Sequence, residues 1–379
     1  MIGSFVGGCV ELQLSDEQVS FVETTRRFLA TTCDIAAVRA LEHEPDGFDR
    51  TVWTRGAELG WTSLLVGEAD GGGALSEHGL SDLVLVAEET GRRVAPGPLV
   101  PVNVVAEAVG RHGSAAQRAS ILPGLLAGSA VAAWCGPTLV DAIDDDTGWV
   151  LTGTCSPVEA GAQADHLLVA FRTGHGELAQ ALLPADTPGM TVTPMAGLDL
   201  VRRFAQVRFD GVTVGPDDVL GDAGPGSAAA IERQEQVACV LQCAETVGAL
   251  DHVFEMTLEY LGDRYSFGRP LSSYQALKHR MADDKMWLEA CHAIASAAAR
   301  AMAAESPDAG ELVSAAKAWI GPHATELIQD FVQLHGGIGV TWEHDLHLYL
   351  RRVTVNRATH GTPEEHAERI ATQLLGAAS

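Results

Sequence analysis

Positive charge is what this sequence has least of. Among 379 residues there are 25 Lys+Arg against 50 Asp+Glu, a formal net charge of −25. Only Lys278, Lys285 and Lys317 are lysines. Nucleic-acid affinity comes chiefly from Lys and Arg neutralising phosphates, so a phosphate-backbone binder is excluded. Docking on an anionic membrane surface is disfavoured for the same reason. Any small anionic ligand must be met by a few locally placed arginines. No uninterrupted run of about 20 apolar residues offers a membrane span. The opening Met1-Ile2-Gly3-Ser4-Phe5 lacks the basic segment of a secretory signal and soon reaches Glu11. The 7 cysteines form no CxxC pair and share no metal-ligand spacing with histidine. Free thiols in a reducing, cytoplasmic compartment, with no metal, are the expectation.

What is present is a globular composition, 46% hydrophobic and 20% charged, long enough for two or three domains. Three zones separate by periodicity, giving an α+β multi-domain chain. Residues 1–126 read as a helical domain. Ser15-Asp16-Glu17-Gln18 forms a capping box, Val52-Trp53, Leu59 and Trp61 mark a second helix, and Leu80 to Gly91 a third that Gly91 closes. Residues 127–228 read as a middle antiparallel β-barrel. Its candidate strands are Val131–Trp134, Trp149–Thr154, His166–Phe171, Gln180–Leu183, Met190–Thr193 and Ala205–Phe209. Residues 229–379 read as a C-terminal four-helix bundle with long Ala-rich stretches over Ile231–Asp263, Gln275–Ala304 and Glu311–Leu334.

Two segments carry chemistry. Arg264-Tyr265-Ser266-Phe267-Gly268-Arg269-Pro270, followed by Tyr274-Gln275 and Lys278, sits between two long helices. Gln333-Leu334-His335-Gly336-Gly337-Ile338-Gly339 closes another helix. An arginine at a helix end can clamp a pyrophosphate while an aromatic ring lies along a base. Paired glycines let backbone approach a phosphate closely. Either segment alone also serves as an ordinary helix cap and turn.

Together and in this order they resemble the acyl-CoA dehydrogenase family, over nearly the whole chain. Leu59-Gly60-Trp61, Asp70–Gly73, Glu88–Arg92, Val207–Val214 and Ala282-Asp283 extend the resemblance. It implies a tetrameric flavoprotein, homomeric or heteromeric, that binds FAD between subunits. Such an enzyme forms an α,β double bond in an acyl-CoA thioester and passes electrons to an electron-transfer flavoprotein. Arg264 and Phe267 match residues that touch a neighbouring subunit's FAD. Tyr274 and Gln275 match its adenosine-side contacts, and Gln333, Gly336 and Gly337 match the pyrophosphate loop. Thr362 matches a threonine near the flavin. Given the acidic balance, the phosphates of FAD and CoA are expected to be met by Arg264, Arg269, Arg351 and Arg352 at subunit boundaries.

The family's catalytic base is a Glu just before a Gly-Thr pair, here Gly361-Thr362. His360 stands there instead. Some members place the Glu on the first bundle helix, at the position of Ala238, with Glu235 and Glu245 on nearby turns. Cys135-Gly136-Pro137 and Pro157-Val158-Glu159 replace runs that meet the flavin ring in the family. The adenine and pyrophosphate half therefore reads as retained and the isoalloxazine half as degraded. Three expectations follow from the resemblance. The first is one subunit of a heteromeric acyl-CoA dehydrogenase, similar to paired actinobacterial enzymes acting on bulky, steroid-derived thioesters. The second is a self-sufficient homotetramer using His360, Glu235 or Glu245 as an atypical base. The third is a flavin monooxygenase on the same fold.

Overall fold

The computed structural model describes residues 14–136, 138–145 and 148–377. The opening segment with Cys9 and Glu11, and Pro137, lie outside them. Among the described residues six α-helices come first: α1 (Asp16–Thr32), α2 (Ile35–Ala40), α3 (Arg50–Glu58), α4 (Gly79–Arg92), α5 (Leu99–His112) and α6 (Ala115–Leu126). The capping box holds: the Ser15 hydroxyl accepts from Gln18 N while Ser15 N donates to the Gln18 side chain. Seven strands follow: β1 (Ala132–Trp134), β2 (Val140–Asp145), β3 (Gly148–Glu159), β4 (His166–Arg172), β5 (Leu178–Pro184), β6 (Met190–Met195) and β7 (Phe204–Val214). Then come α7 (Pro225–Asp263), the short strands β8 (Tyr265–Ser266) and β9 (Arg269–Pro270), α8 (Gln275–Ala303), α9 (Ala309–His335), α10 (Leu346–Ala358) and α11 (Pro363–Ala377).

The expected order of helices, β domain and helical bundle is observed. The middle domain is a curled, open sheet with strand order β1-β4-β2-β3-β7-β6 and β5 on β4. It is antiparallel except where β1 and β2 run parallel to β4. Strand β2 is additional to the six expected strands.

Gly91 is the penultimate residue of α4, one residue short of its end. It lies within the helix, where a Cβ would stand 1.9 Å from the Glu245 carbonyl of α7; reciprocally, a Cβ on Gly248 would stand 2.0 Å from the Glu88 carbonyl. The two glycines let α4 and α7 cross backbone against backbone, which joins the N-terminal domain to the bundle. An 18-residue window of α7 is long and apolar enough for a bilayer, yet 83% of it is buried inside the protein. It is the central core helix. One continuous apolar cluster runs from Leu29 through α4, α5 and α7 to Tyr349, and a second fills the sheet around Phe171 and Phe209.

Candidate cofactor half-site and a closed pocket

The two halves of the site expected from the sequence have opposite characters. The first half lies on the surface. Chain reversal between α7 and α8 is made by the β8–β9 hairpin, whose tip residues Phe267 and Gly268 both take positive φ, +52° and +80°. Two consecutive left-handed residues match a two-residue hairpin turn. This geometry throws the Phe267 ring outward until it is 97% exposed. Tyr274, just before α8, donates its hydroxyl to Ser266 O at 2.8 Å and lies 3.9 Å beneath the Arg269 guanidinium, bracing the hairpin from below. Arg264, Gln275 and Gln333 are exposed. Gln275 also pairs with His279.

From Arg264 to Met281 the chain holds Arg264, Arg269, Lys278 and Arg280 and no acidic residue. In a protein with twice as many acids as bases, that is a local focus of positive charge for an anionic ligand.

The C-terminal end of α9 supplies the glycine loop. Gly336 has φ +64°, which favours glycine on its own account. Gly337 does not, and a Cβ added there meets nothing within 4 Å. Nothing inside this chain requires glycine at 337. A side-chain-free position facing open space is what close approach by an external phosphate demands.

The second half is closed. His360, at the family's base position, has φ +56° and stacks on Trp134 with ring centroids 5.5 Å apart and planes 22° from parallel. Burial of the ring, reinforced by the positive charges of Lys317 and Arg202, pushes its pKa down to about 3. An imidazole with so little proton affinity is a poor general base. Lys317 is itself buried and ties down the same segment, donating to Asn356 O at 2.6 Å and Thr359 O at 2.7 Å. Thr362 caps α11, its hydroxyl accepting from Glu365 N. The Cys239 thiol, which donates toward His360 O, is pushed up to about 12 by burial.

Glu245 lies between two arginines. Arg202 donates to both of its oxygens at 2.9 and 2.8 Å, Arg352 donates at 2.7 Å, and Asn356 Nδ2 adds a bond at 2.8 Å. Arg352 also holds Asp199 at 2.5 Å, while Arg202 Nε reaches Glu159 Oε1 at 3.2 Å. Burial alone would raise both Glu245 and Asp199. The two arginines overcome it, holding Glu245 below the usual carboxylate range and Asp199 at about 2. Glu159 goes the other way, raised by burial and by its acidic neighbours against the pull of Arg202. Glu235 lies apart from this network, paired with Arg369 at 2.7 Å beside a groove lined by α7, α9 and α11.

The residues of the first half fit the adenosine and pyrophosphate of FAD: exposed arginine, exposed aromatic ring, and a glycine open to a phosphate. Those of the second half do not fit an isoalloxazine. The buried Glu159 Oε2 has no donor and Trp134 Nε1 no acceptor. The two cavities lined by Arg202, one with Glu245 and one with Glu159, measure about 10 Å³ each, room for roughly one water. The expectation that Arg352 meets a cofactor phosphate is corrected: it is buried, and its guanidinium is taken up by Asp199 and Glu245. Arg351 donates to Leu198 O at 2.9 Å. Arg202 and Asp199 were not singled out from the sequence. They lie far from Glu245 along the chain, and no local motif announces them.

The chain resembles known proteins along nearly its whole length. The acyl-CoA dehydrogenase N-terminal domain model matches residues 15–129 and the C-terminal domain model residues 228–375. The acyl-CoA dehydrogenase IpdE2 of Mycobacterium tuberculosis is 30% identical over 363 residues, covering 95% of this chain and 98% of the relative. A solved variant of the steroid ACAD Tcur3481-Tcur3483 is 29% identical with a TM-score of 0.85, covering 96% of this chain and 99% of that one. The ChsE4-ChsE5 complex from Mycobacterium tuberculosis, at 24% identity, shares the fold with a TM-score of 0.86 over 97% of this chain and 99% of that one. The protein belongs to the acyl-CoA dehydrogenase family of oxidoreductases.

Proposed function

We propose that this chain is the cofactor-gripping, base-less subunit of a heteromeric acyl-CoA dehydrogenase. A second, unlike subunit supplies the flavin-ring pocket, the acyl pocket and the catalytic carboxylate. This chain supplies Arg264, Phe267, Tyr274, Gln275, Gln333, Gly336 and Gly337 to the adenosine and pyrophosphate end of that subunit's FAD. FAD bound there would supply the acceptor for the β-hydride of the acyl-CoA thioester, with an electron-transfer flavoprotein as the expected acceptor of its electrons.

The observation that carries this reading is the contrast between the open half-site and the ion network closing the pocket behind it. Similarity to the steroid ACAD Tcur3481-Tcur3483 supports a bulky, steroid-derived acyl group. None of His360, Glu235 or Glu245 is free to act as base: one is stacked, and two are held by arginine.

The test is the flavin-to-chain ratio of the protein purified alone and with its genomic neighbour. Little flavin alone, and about one FAD per pair of unlike chains, is expected. Purification alone as a fully flavinylated, active homotetramer would overturn the proposal.

A further inference from the structure

The half-site is built from two helix ends that must keep a fixed spacing. Tyr274 and Gln275 sit at the start of α8, while Gln333, Gly336 and Gly337 sit at the end of α9. What holds these helices together close to the site is a small polar cluster. Arg280 donates through Nε to both Asp330 oxygens, at 2.7 and 2.6 Å, and Nη2 bonds Asp330 as well. Asp330 thus occupies this guanidinium, one helical turn before Gln333.

One helical turn after Arg280, on the inward stripe of α8 shared with Met281, Leu288 and Cys291, lies Asp284, whose carboxyl interacts with that of Asp330. Asp284 is only 7% exposed, and its buried Oδ2 has no hydrogen-bond donor. A buried carboxylate oxygen without a donor, next to a second carboxylate, is a costly arrangement. A proton held between the two carboxyls relieves it, turning repulsion into a hydrogen bond.

We propose that Asp284 is a positioning residue of the half-site: by sharing a proton with Asp330 it ties α8 to α9 at the spacing needed to close on one anionic cofactor. The inference rests on the half-site reading above.

The charged groups that act on Asp284 agree. Burial comes first and Asp330 across the helix pair next, both raising its pKa; Arg280 lowers it and Asp283 on its own helix raises it, leaving it at about 7. Below that pH the clamp is protonated and closed. Above it Asp284 ionises against Asp330, α8 and α9 repel, and the grip on the cofactor loosens. One proton linked to binding changes affinity by at most about tenfold per pH unit. The sign for stability is the same. A carboxyl whose folded pKa is raised gives stability that falls as pH rises from its unfolded value of about 4 to its folded value, and stays low above it.

The experiment uses the complex with the partner subunit, carrying wild-type chain, Asp284→Asn, Asp283→Asn or Arg264→Ala, between about pH 5.5 and 8.5. Flavin retention on gel filtration, Tm of the chain, and the infrared carbonyl band of a protonated carboxyl are read. Wild type and Asp283→Asn should lose retention above neutral pH. Asp284→Asn, neutral at every pH and able to donate to Asp330, should retain flavin evenly. It should lack Asp284's share of the infrared band, and its Tm advantage over wild type should grow with pH, reaching about 2–4 °C more at the alkaline end than at the acid end. An Asp284→Asn retention curve superimposed on that of wild type overturns the proposal, as does a protonated-carboxyl band that Asp284→Asn leaves unchanged. Unchanged retention in Arg264→Ala overturns the half-site reading itself, whatever Asp284 does.

Discussion

At the scale of single residues, Arg352 is the most consequential side chain in the closed pocket. It is 1% exposed and bridges Asp199 and Glu245, acids from two different segments. Replacing it with Met would leave two carboxylates buried with less positive charge to meet them. A broken buried pair typically costs about 3–5 kcal/mol, so Arg352→Met should lower stability by that order in urea unfolding. The pH dependence has a defined sign. Asp199 and Glu245 have folded pKa values depressed below their unfolded ones, so their contribution is present above about pH 4 and lost as pH falls toward 2. Arg352→Met should flatten that acid limb. His360 gives a second prediction. Restoring the family's carboxylate with His360→Glu should not create dehydrogenase activity in the chain alone, because Trp134 and the ion network still fill the pocket. Ferrocenium reduction with a panel of acyl-CoAs measures this, and activity gained there would show that the pocket opens.

At the scale of elements, two glycines on neighbouring structures should behave oppositely. Gly248→Ala would drive a Cβ to 2.0 Å from the Glu88 carbonyl. Because the obstructing atom is backbone, α4 must move off α7, and the loss should exceed about 3 kcal/mol with thermal unfolding as readout. Gly337→Ala has free space in this chain. It should leave the chain's Tm within about 2 °C of wild type but weaken flavin retention in the complex with the partner. Equal effects of the two substitutions on Tm would remove the argument that Gly337 serves something outside the chain.

The same elements show where the sequence was legible. The bundle helices and five of the six expected strands were visible because each buries an apolar stripe or run; β6 buries no side chain fully, and alternation of the half-buried Met190 and Val192 with exposed residues announces it. The RYSFG turn and the glycine loop announce themselves because a left-handed tip and a bare backbone need particular residues. Strand β2 was hidden: Val140 and Ala142 are its only buried side chains, its tail is Asp144-Asp145, and it forms only because β3 and β4 pair with it. Helix α10 carries Val353, Thr354 and Val355, a β-branched run that its packing on α7 and α9 overrides. Gly91 marks the helix end to within one residue, but its close crossing with α7 is set by tertiary packing. Glu245 could be noticed as a buried-helix acid, but its pairing with the arginines at 202 and 352 is set by tertiary structure alone.

At the scale of the whole molecule, charge separates a heteromeric assembly from a self-assembly. A homotetramer would bring together four copies of a chain with net charge −25. Charges on different copies repel through solvent over about 10 Å at 0.1 M salt, and over less at higher salt. The basic stretch from Arg264 to Arg280 is short, and Arg280 is already engaged by Asp330. It offers an anionic cofactor a local welcome without neutralising a whole interface. The chain alone should therefore stay below tetramer size at low ionic strength, and added salt should promote its self-association by screening that repulsion. On the proposed function, a complex with an unlike partner carrying FAD should respond in the opposite sense, because salt weakens the attraction of Arg264 and Arg269 for the cofactor's phosphates. Sedimentation of the chain with and without its partner, across about 0.05–0.5 M salt, tests both signs. A stable tetramer of the chain alone at the lowest salt would mean that its apolar faces outweigh the repulsion, and the electrostatic case for an unlike partner would fail.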